Sequence, residues 1–160
     1  MIDRFDGQYD FLSNFYPSPF EWHGRTYPTV EHFFQAAKAN TQEDYEMVMR
    51  EPGPGGAKHA GRNVKLRPDW EKIKDKVMYT ALKEKFAIPE LREKLLATGD
   101  EILIEGNTWH DNYWGICTCD KCKNTQNGKN TLGKLLMKLR EEIKNDTWTI
   151  TKRYDTSNER

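Results

Sequence analysis

Thr29-Val30-Glu31-His32-Phe33-Phe34-Gln35-Ala36-Ala37-Lys38 is the stretch from which the fold is read. Val30, Phe33, Phe34 and Ala37 recur at i, i+3, i+4 and i+7, the apolar stripe of a helix that packs on a core. Glu31, Gln35 and Lys38 fall at i, i+4 and i+7 on a second stripe. A carboxylate, an amide and an ammonium in that register suit either a solvated face with a Glu-to-Lys pairing or the polar wall of a pocket. The helix alone leaves both open. Thr29 supplies a hydroxyl at its start, the usual N-cap chemistry.

On either side of this segment the pattern alternates between turns and helices. Upstream, Asp10 to Pro19 mixes aromatics with turn formers and reads as loop, and Phe20-Glu21-Trp22 and Arg25-Thr26-Tyr27 flank His23-Gly24 as a hairpin. Downstream, Thr41 with Asp44 marks the cap of a second helix carrying Tyr45, Val48 and Met49. Pro52-Gly53-Pro54-Gly55-Gly56 ends it. Lys58 lacks the Gly before it and the hydroxyl after it that a Walker-type loop requires, so an NTPase is not expected. A helix starting near Ala57 and leading to Gly61-Arg62 reads as an ordinary turn-to-helix joint or as a phosphate site with Arg62 as the bidentate partner.

Asp69 is placed to cap a long helix with Ile73, Val77, Ala81 and Met78, Leu82, Phe86 in adjacent rows. Pro89 opens another helix, stopped by Thr98-Gly99. Glu101-Ile102-Leu103-Ile104-Glu105 alternates and predicts a strand, followed by a long aromatic loop from Gly106 to Asn130. Leu132, Leu135, Leu136, Leu139 and Ile143 predict a closing helix from Thr131. Trp148-Thr149-Ile150 reads as a short strand, and Tyr154 to Arg160 as a frayed end. The expected architecture is α+β and predominantly helical: one domain over 1–146 and a C-terminal tail over 147–160.

Composition narrows the function classes. In 160 residues, 25 Lys and Arg balance 25 Asp and Glu, so no net field draws the chain to nucleic acid or to an anionic membrane. No apolar run approaches the roughly 20 residues a membrane helix needs, and no secretory signal is visible; the expectation is a cytoplasmic protein with no membrane partner. Three cysteines in Cys117-Thr118-Cys119-Asp120-Lys121-Cys122, an odd number, argue against a disulfide framework. Together with His110 they form a candidate zinc set.

The acidic residues attached to ordered segments near aromatics are Glu31, Glu105 and Asp111. Asn14, Gln35, Arg62, His110 and Trp114 add amides, a guanidinium, an imidazole and a stacking plane, a set suited to a sugar, a base and a phosphate. Ser13-Asn14-Phe15, the Tyr27-to-Lys38 segment, Gly61-Arg62, Asp69-Trp70, Thr98-Gly99, Ile104-Glu105, Asp111 to Gly115 and Asn130-Thr131-Leu132-Gly133-Lys134-Leu135-Leu136-Met137 occur in one order that resembles the YbiA-like, or NADAR, family. The match runs from about Phe5 to Ile143. The resemblance implies a mainly helical α+β domain with small strands and an N-glycosidase. Its substrate would be a ribosylamino intermediate of the riboflavin pathway, or ADP-ribose attached to a nucleobase.

Cleaving a C–N glycosidic bond builds oxocarbenium character on the ribose, which a nearby carboxylate stabilises while it orients water. Glu31 and Asp111 are the expected catalytic pair, with Glu105 a third candidate. Trp114 is the expected stacking wall, and Asn14, Gln35, Lys38, Arg62 and Asn130 are expected to bind substrate. No cofactor is required by this chemistry, and zinc on Cys117, Cys119 and Cys122 would tie down the loop. Removal of ADP-ribose from nucleic acid and a non-catalytic ADP-ribose or NAD reader are the competing readings; oligomeric state is not legible.

Overall fold

The computed structural model of the protein describes residues 1–147, so the strand expected at Trp148–Ile150 and the frayed end lie outside the described residues. Contacts group the chain into two units: residues Asn14–Ile88, and Met1–Ser13 with the chain from Pro89 onward.

The Asn14–Ile88 unit opens with the expected hairpin. Strands β1 (Phe20–Trp22) and β2 (Arg25–Tyr27) pair antiparallel with Phe20 opposite Tyr27 and Trp22 opposite Arg25. His23 (φ 48°) and Gly24 (φ 81°) both turn through the left-handed region, as a two-residue hairpin loop requires. Helix α1 (Val30–Ala37) follows, and the Thr29 side chain accepts from the His32 amide as its cap. Thr41 caps α2 (Gln42–Met49) in the same way, accepting from Asp44 N. Next come α3 (Pro54–Gly61) and α4 (Trp70–Lys85).

Helix α1 is the centre of this unit. It packs against α2, α3, α4 and β2, and every residue from Val30 to Ala36 is buried. Phe33 meets Tyr27 edge-on at 4.9 Å and Trp22 at 5.9 Å, while Phe34 packs on Trp70 at 5.1 Å. The other side is closed by small residues: Ala36, Ala57, Ala60 and Val48 form one cluster, which lets α3 approach closely. A cavity of about 340 Å³ lies on the apolar stripe, lined by Trp22, Phe33, Ala37 and Tyr45 among others, and has no carboxylate in its wall.

In the second unit Ile2 lies beside residues 102–104: its amide donates to Ile102 O, and Ile104 N donates to Ile2 O, each at 2.8 Å. The strand expected over 101–105 reduces to this single parallel bridge at Leu103. Leu103 is buried, whereas Ile102 is 55% exposed; one residue of partner chain does not extend a ladder. The two-residue strands β3 (Gly106–Asn107) and β4 (Ile116–Cys117) pair in parallel instead. Upstream, the segment expected to be loop contains a 3-10 helix at Gly7–Leu12, which buries Phe11 and Leu12. Helix α5 (Pro89–Ala97) ends at Gly99 in the left-handed region, as expected. Helix α6 (Thr131–Lys144) buries Leu132, Leu136, Leu139 and Ile143.

Two caps differ from expectation. Asp69 precedes α4, but its carboxylate takes Arg67 Nε at 2.7 Å rather than a helix amide. Helix α3 starts at Pro54, three residues before Ala57, because proline at the first helical position loses no hydrogen bond. The fold is α+β and mainly helical, and no helix among the described residues is long and apolar enough to cross a membrane.

Candidate active site

Glu31 lies in the first turn of α1 and is 7% exposed; Gln35, one turn on, is 5% exposed. That burial excludes the solvated-face reading of the second stripe. Gln35 Nε2 donates to Glu31 Oε2 at 2.6 Å, and the Glu31 amide donates to the Asn14 carbonyl at 3.1 Å. Burial pushes the Glu31 carboxyl above the usual carboxylate range. The Gln35 hydrogen bond and the charges of Lys58, Lys38 and His32 pull it part of the way back. Burial lowers the Lys38 ammonium; Glu31 opposes that shift, and Lys58 and Arg62 reinforce it. Lys38 and Lys58 thus act on one buried carboxylate, and Arg62 joins them through Lys38, an arrangement of cations suited to an anionic ligand.

Local sequence explains how these groups meet. Lys58 on α3 and Arg62 at its C-cap are one turn apart, and Gly61 lets α3 lie against α1: a Cβ at position 61 would fall on Gln35 Oε1, Cδ (2.7 Å) and Cβ (3.1 Å). Gln35 Oε1 is buried and accepts no hydrogen bond, so the amide is oriented by contact on one side and by the carboxylate on the other. Gln35 Nε2 therefore positions the Glu31 carboxylate. Asn14 Oδ1 is likewise buried without a partner, and its Nδ2 meets only the soft acceptor Met78 Sδ at 3.6 Å. An acceptor in that state suits a sugar hydroxyl.

The expected anion site at the start of α3 meets an obstacle, since the Glu51 side chain packs over Gly56 in the first turn. That end already faces a carboxylate, and the cations lie at the other end. Sequence reasoning passed over Lys58 once the Walker pattern failed; its i, i+4 spacing with Arg62 was the available signal. His32, fully buried, is structural: Nε2 donates to Glu51 O at 2.8 Å, and Nδ1 pairs with Thr29 Oγ1 at 2.8 Å.

In the other unit the organiser is Asn107, 2% exposed, which the sequence did not single out. Its Nδ2 donates to Asp111 O (2.8 Å) and Glu105 Oε2 (3.0 Å), and its Oδ1 accepts from Trp109 N and Asp111 N. Asp111 Oδ1 in turn accepts from Tyr113 N (3.1 Å) and Trp114 N (2.9 Å). The Tyr113 and Trp114 carbonyls then take the first amides of α6, those of Thr131 and Leu132, which have no partner within the helix. Asp111 thus holds the Trp114 turn. Asn130, expected to bind substrate, spends its amide on the backbone, with Oδ1 accepting from Glu105 N (3.0 Å) and Nδ2 donating to Leu103 O (2.9 Å). It is a tie between segments, made possible by its left-handed backbone (φ 53°). A signal for Asn107 did exist: an asparagine between Gly106 and a long aromatic loop that must be ordered from within.

His110, Cys117, Cys119 and Cys122 also converge in this unit, their ligand atoms all lying within 4.8 Å of one another.

Residues 3–144 match the NADAR domain family. The chain is 43% identical over 138 residues to the N-glycosidase YbiA of Shigella boydii serotype 4, an alignment covering 84% of this chain and 82% of that protein. It is 35% identical over 141 residues to a riboflavin biosynthesis protein of Vibrio vulnificus, which covers 86% of this chain but 36% of that longer protein. Among solved structures, the NMR structure of the E. coli protein YbiA is similar, with a TM-score of 0.76 and 38% identity over 91% of this chain and 88% of that one.

Proposed function

The chain belongs to the NADAR domain family, and from that premise we propose that it is an N-glycosidase hydrolysing the C–N ribosidic bond of a nucleotide-like substrate, with Glu31 as the catalytic carboxylate. The observation that carries the assignment of Glu31 is its burial against the Gln35 amide with the charges of Lys38 and Lys58 acting on it, its carboxyl pKa raised by that burial.

The reaction is written with water and this chain's own residues. As the C1′–N bond breaks, its electron pair leaves with the base nitrogen and positive charge grows on the ribose. Ionised Glu31 stabilises that charge electrostatically and accepts a proton from the water that attacks C1′, then passes that proton to the leaving amino nitrogen, which becomes a free amine; the sugar keeps a 1′-hydroxyl and Glu31 returns to its ionised form. A carboxyl with a raised pKa is a stronger base than an exposed one, which suits the proton transfer. Lys38, Lys58 and Arg62 hold the phosphate, Asn14 Oδ1 accepts from a ribose hydroxyl, and Gln35 fixes the Glu31 carboxylate. Asp111, with Glu105 and Asn107 beside it in the other unit, holds the Trp114 turn through the Trp114 amide. The thiol–imidazole cluster takes no part in this chemistry and is read as a structural metal site.

The riboflavin name of the Vibrio relative supports a ribosylaminopyrimidine phosphate as substrate, acted on by a catalytic domain at 1–146 with 147–160 as a tail. The reading puts the enzyme in the cytoplasm, where free thiols stay reduced. The test offers the protein a ribosylaminopyrimidine phosphate and, separately, an ADP-ribosylated nucleobase. Release of ribose 5-phosphate from the first is expected. Turnover of the second alone overturns the substrate, and turnover of neither overturns the enzyme reading.

A further inference from the structure

We infer that His110, Cys117, Cys119 and Cys122 form a closed four-coordinate zinc site whose role is to position the Asp111–Trp114 turn. With Zn–S near 2.3 Å and Zn–N near 2.0–2.1 Å, a tetrahedral centre sets its sulfurs about 3.8 Å apart and each sulfur about 3.6 Å from the nitrogen. His110 Nδ1 lies 3.3 Å from Cys119 Sγ and 3.5 Å from Cys122 Sγ, and all four ligand atoms lie within 4.8 Å of one another. All three thiols are free, and their odd number leaves one unpaired by any disulfide.

The surroundings are those of bound thiolates rather than of a chance cluster. Three N–H donors point at the sulfurs: His110 N to Cys117 Sγ (3.3 Å), Cys119 N to Cys117 Sγ (3.5 Å) and Asn112 Nδ2 to Cys122 Sγ (3.4 Å). Such donors disperse the excess negative charge of a three-thiolate centre and orient its ligands. Cys119 and Cys122 share a tight turn, with the Cys122 and Lys123 amides both donating to Cys119 O. His110 reaches the cluster from a left-handed backbone position (φ 69°), a strained conformation that a metal bond can hold. A donor set of three sulfurs and one imidazole favours zinc over the oxygen-seeking magnesium and calcium. Binding takes up Zn²⁺ and releases three thiol protons to solvent. Four protein ligands leave no open position for substrate, so the metal is structural.

The clamp's target follows from chain order. His110 directly precedes Asp111, whose carboxylate holds Tyr113 N and Trp114 N, and Asn112 bridges the cluster through Cys122 Sγ and Cys117 N. Zinc therefore fixes both flanks of the turn that carries Trp114.

The test measures metal content of the full chain purified under reducing conditions, the spectrum after exchange with Co²⁺, and thermal unfolding with and without a chelator. One zinc per chain, intense visible bands of a tetrahedral cobalt thiolate, and a chelator-induced fall in Tm are expected. Cys119→Ser and His110→Ala, both at partly or fully exposed positions, are each expected to weaken zinc affinity at least tenfold while far-UV circular dichroism is kept. Less than a tenth of an equivalent of zinc after reconstitution, iron in its place, an octahedral cobalt spectrum, or undiminished affinity in both variants overturns the site. A fluorescence signal from Trp109 and Trp114 that ignores metal removal overturns the positioning role. None of these readouts depends on the glycosidase reading.

Discussion

Gly61→Ala probes the contact that orients the Glu31 carboxylate, proposed here as catalytic. The added Cβ would lie 2.7 Å from Gln35 Cδ, closer than real Cβ atoms approach, and α3 has little freedom to retreat because Ala57 and Ala60 are already packed on α1. Either the helices part, an overpacking cost of about 1–3 kcal/mol, or Gln35 swings away and gives up its hydrogen bond to Glu31, about 1.5–3 kcal/mol for a charged acceptor. Alanine at the end of a helix returns up to about 1 kcal/mol. The net loss is about 0–3 kcal/mol, a fall in Tm of up to roughly 9 °C for a chain of this length, with at least a tenfold loss of kcat/KM. Calorimetry and ribose 5-phosphate release measure the two. Repeating the substitution in a Gln35→Ala background removes the two nearest clashing atoms, Oε1 and Cδ, and leaves only the Cβ at 3.1 Å, so the two changes must be non-additive. Additive losses, or a wild-type Tm and rate in Gly61→Ala alone, would refute the reasoning.

Gln35→Ala by itself removes the hydrogen bond that holds down the Glu31 pKa. The acid limb of the kcat/KM profile, which reports ionisation of Glu31, is expected to move to higher pH; a limb that stays or moves down contradicts the pairing. His32→Leu leaves the Glu51 carbonyl without its donor, costing about 1–3 kcal/mol and several degrees of Tm, while the Thr29 cap, made to a backbone amide, survives. Chemical denaturation measures the loss, and an unchanged midpoint contradicts it.

Local chemistry made much of this fold legible. His23-Gly24 marked the hairpin, Thr29 and Thr41 marked two helix starts, and the leucine spacing marked α6, because each depends on neighbours within a few residues. Residues 101–105 misled because alternation says nothing about whether a partner strand is long enough, and here Ile2 supplies one bridge. Asp69 misled because Arg67 competes for its carboxylate. At the candidate site, the helical register placed Glu31 and Gln35 on one stripe, but their burial depends on the small residues of α3 packing from a distant segment. For Asn107 only its place at the head of the loop was legible: its partners Glu105, Trp109 and Asp111 become evident only once the loop is folded.

Glu31→Gln is the most direct test of the central claim. Because burial raises the Glu31 pKa, the folded state binds more protons than the unfolded state between the ordinary glutamate pKa and the raised one. Stability therefore falls as pH rises through that window. Removing the charge should leave Tm at neutral pH unchanged or higher, while hydrolysis of the ribosylaminopyrimidine phosphate falls about 10²- to 10⁴-fold, as expected on loss of a catalytic base. A folded Glu31→Gln protein that hydrolyses this substrate at the wild-type rate contradicts the account.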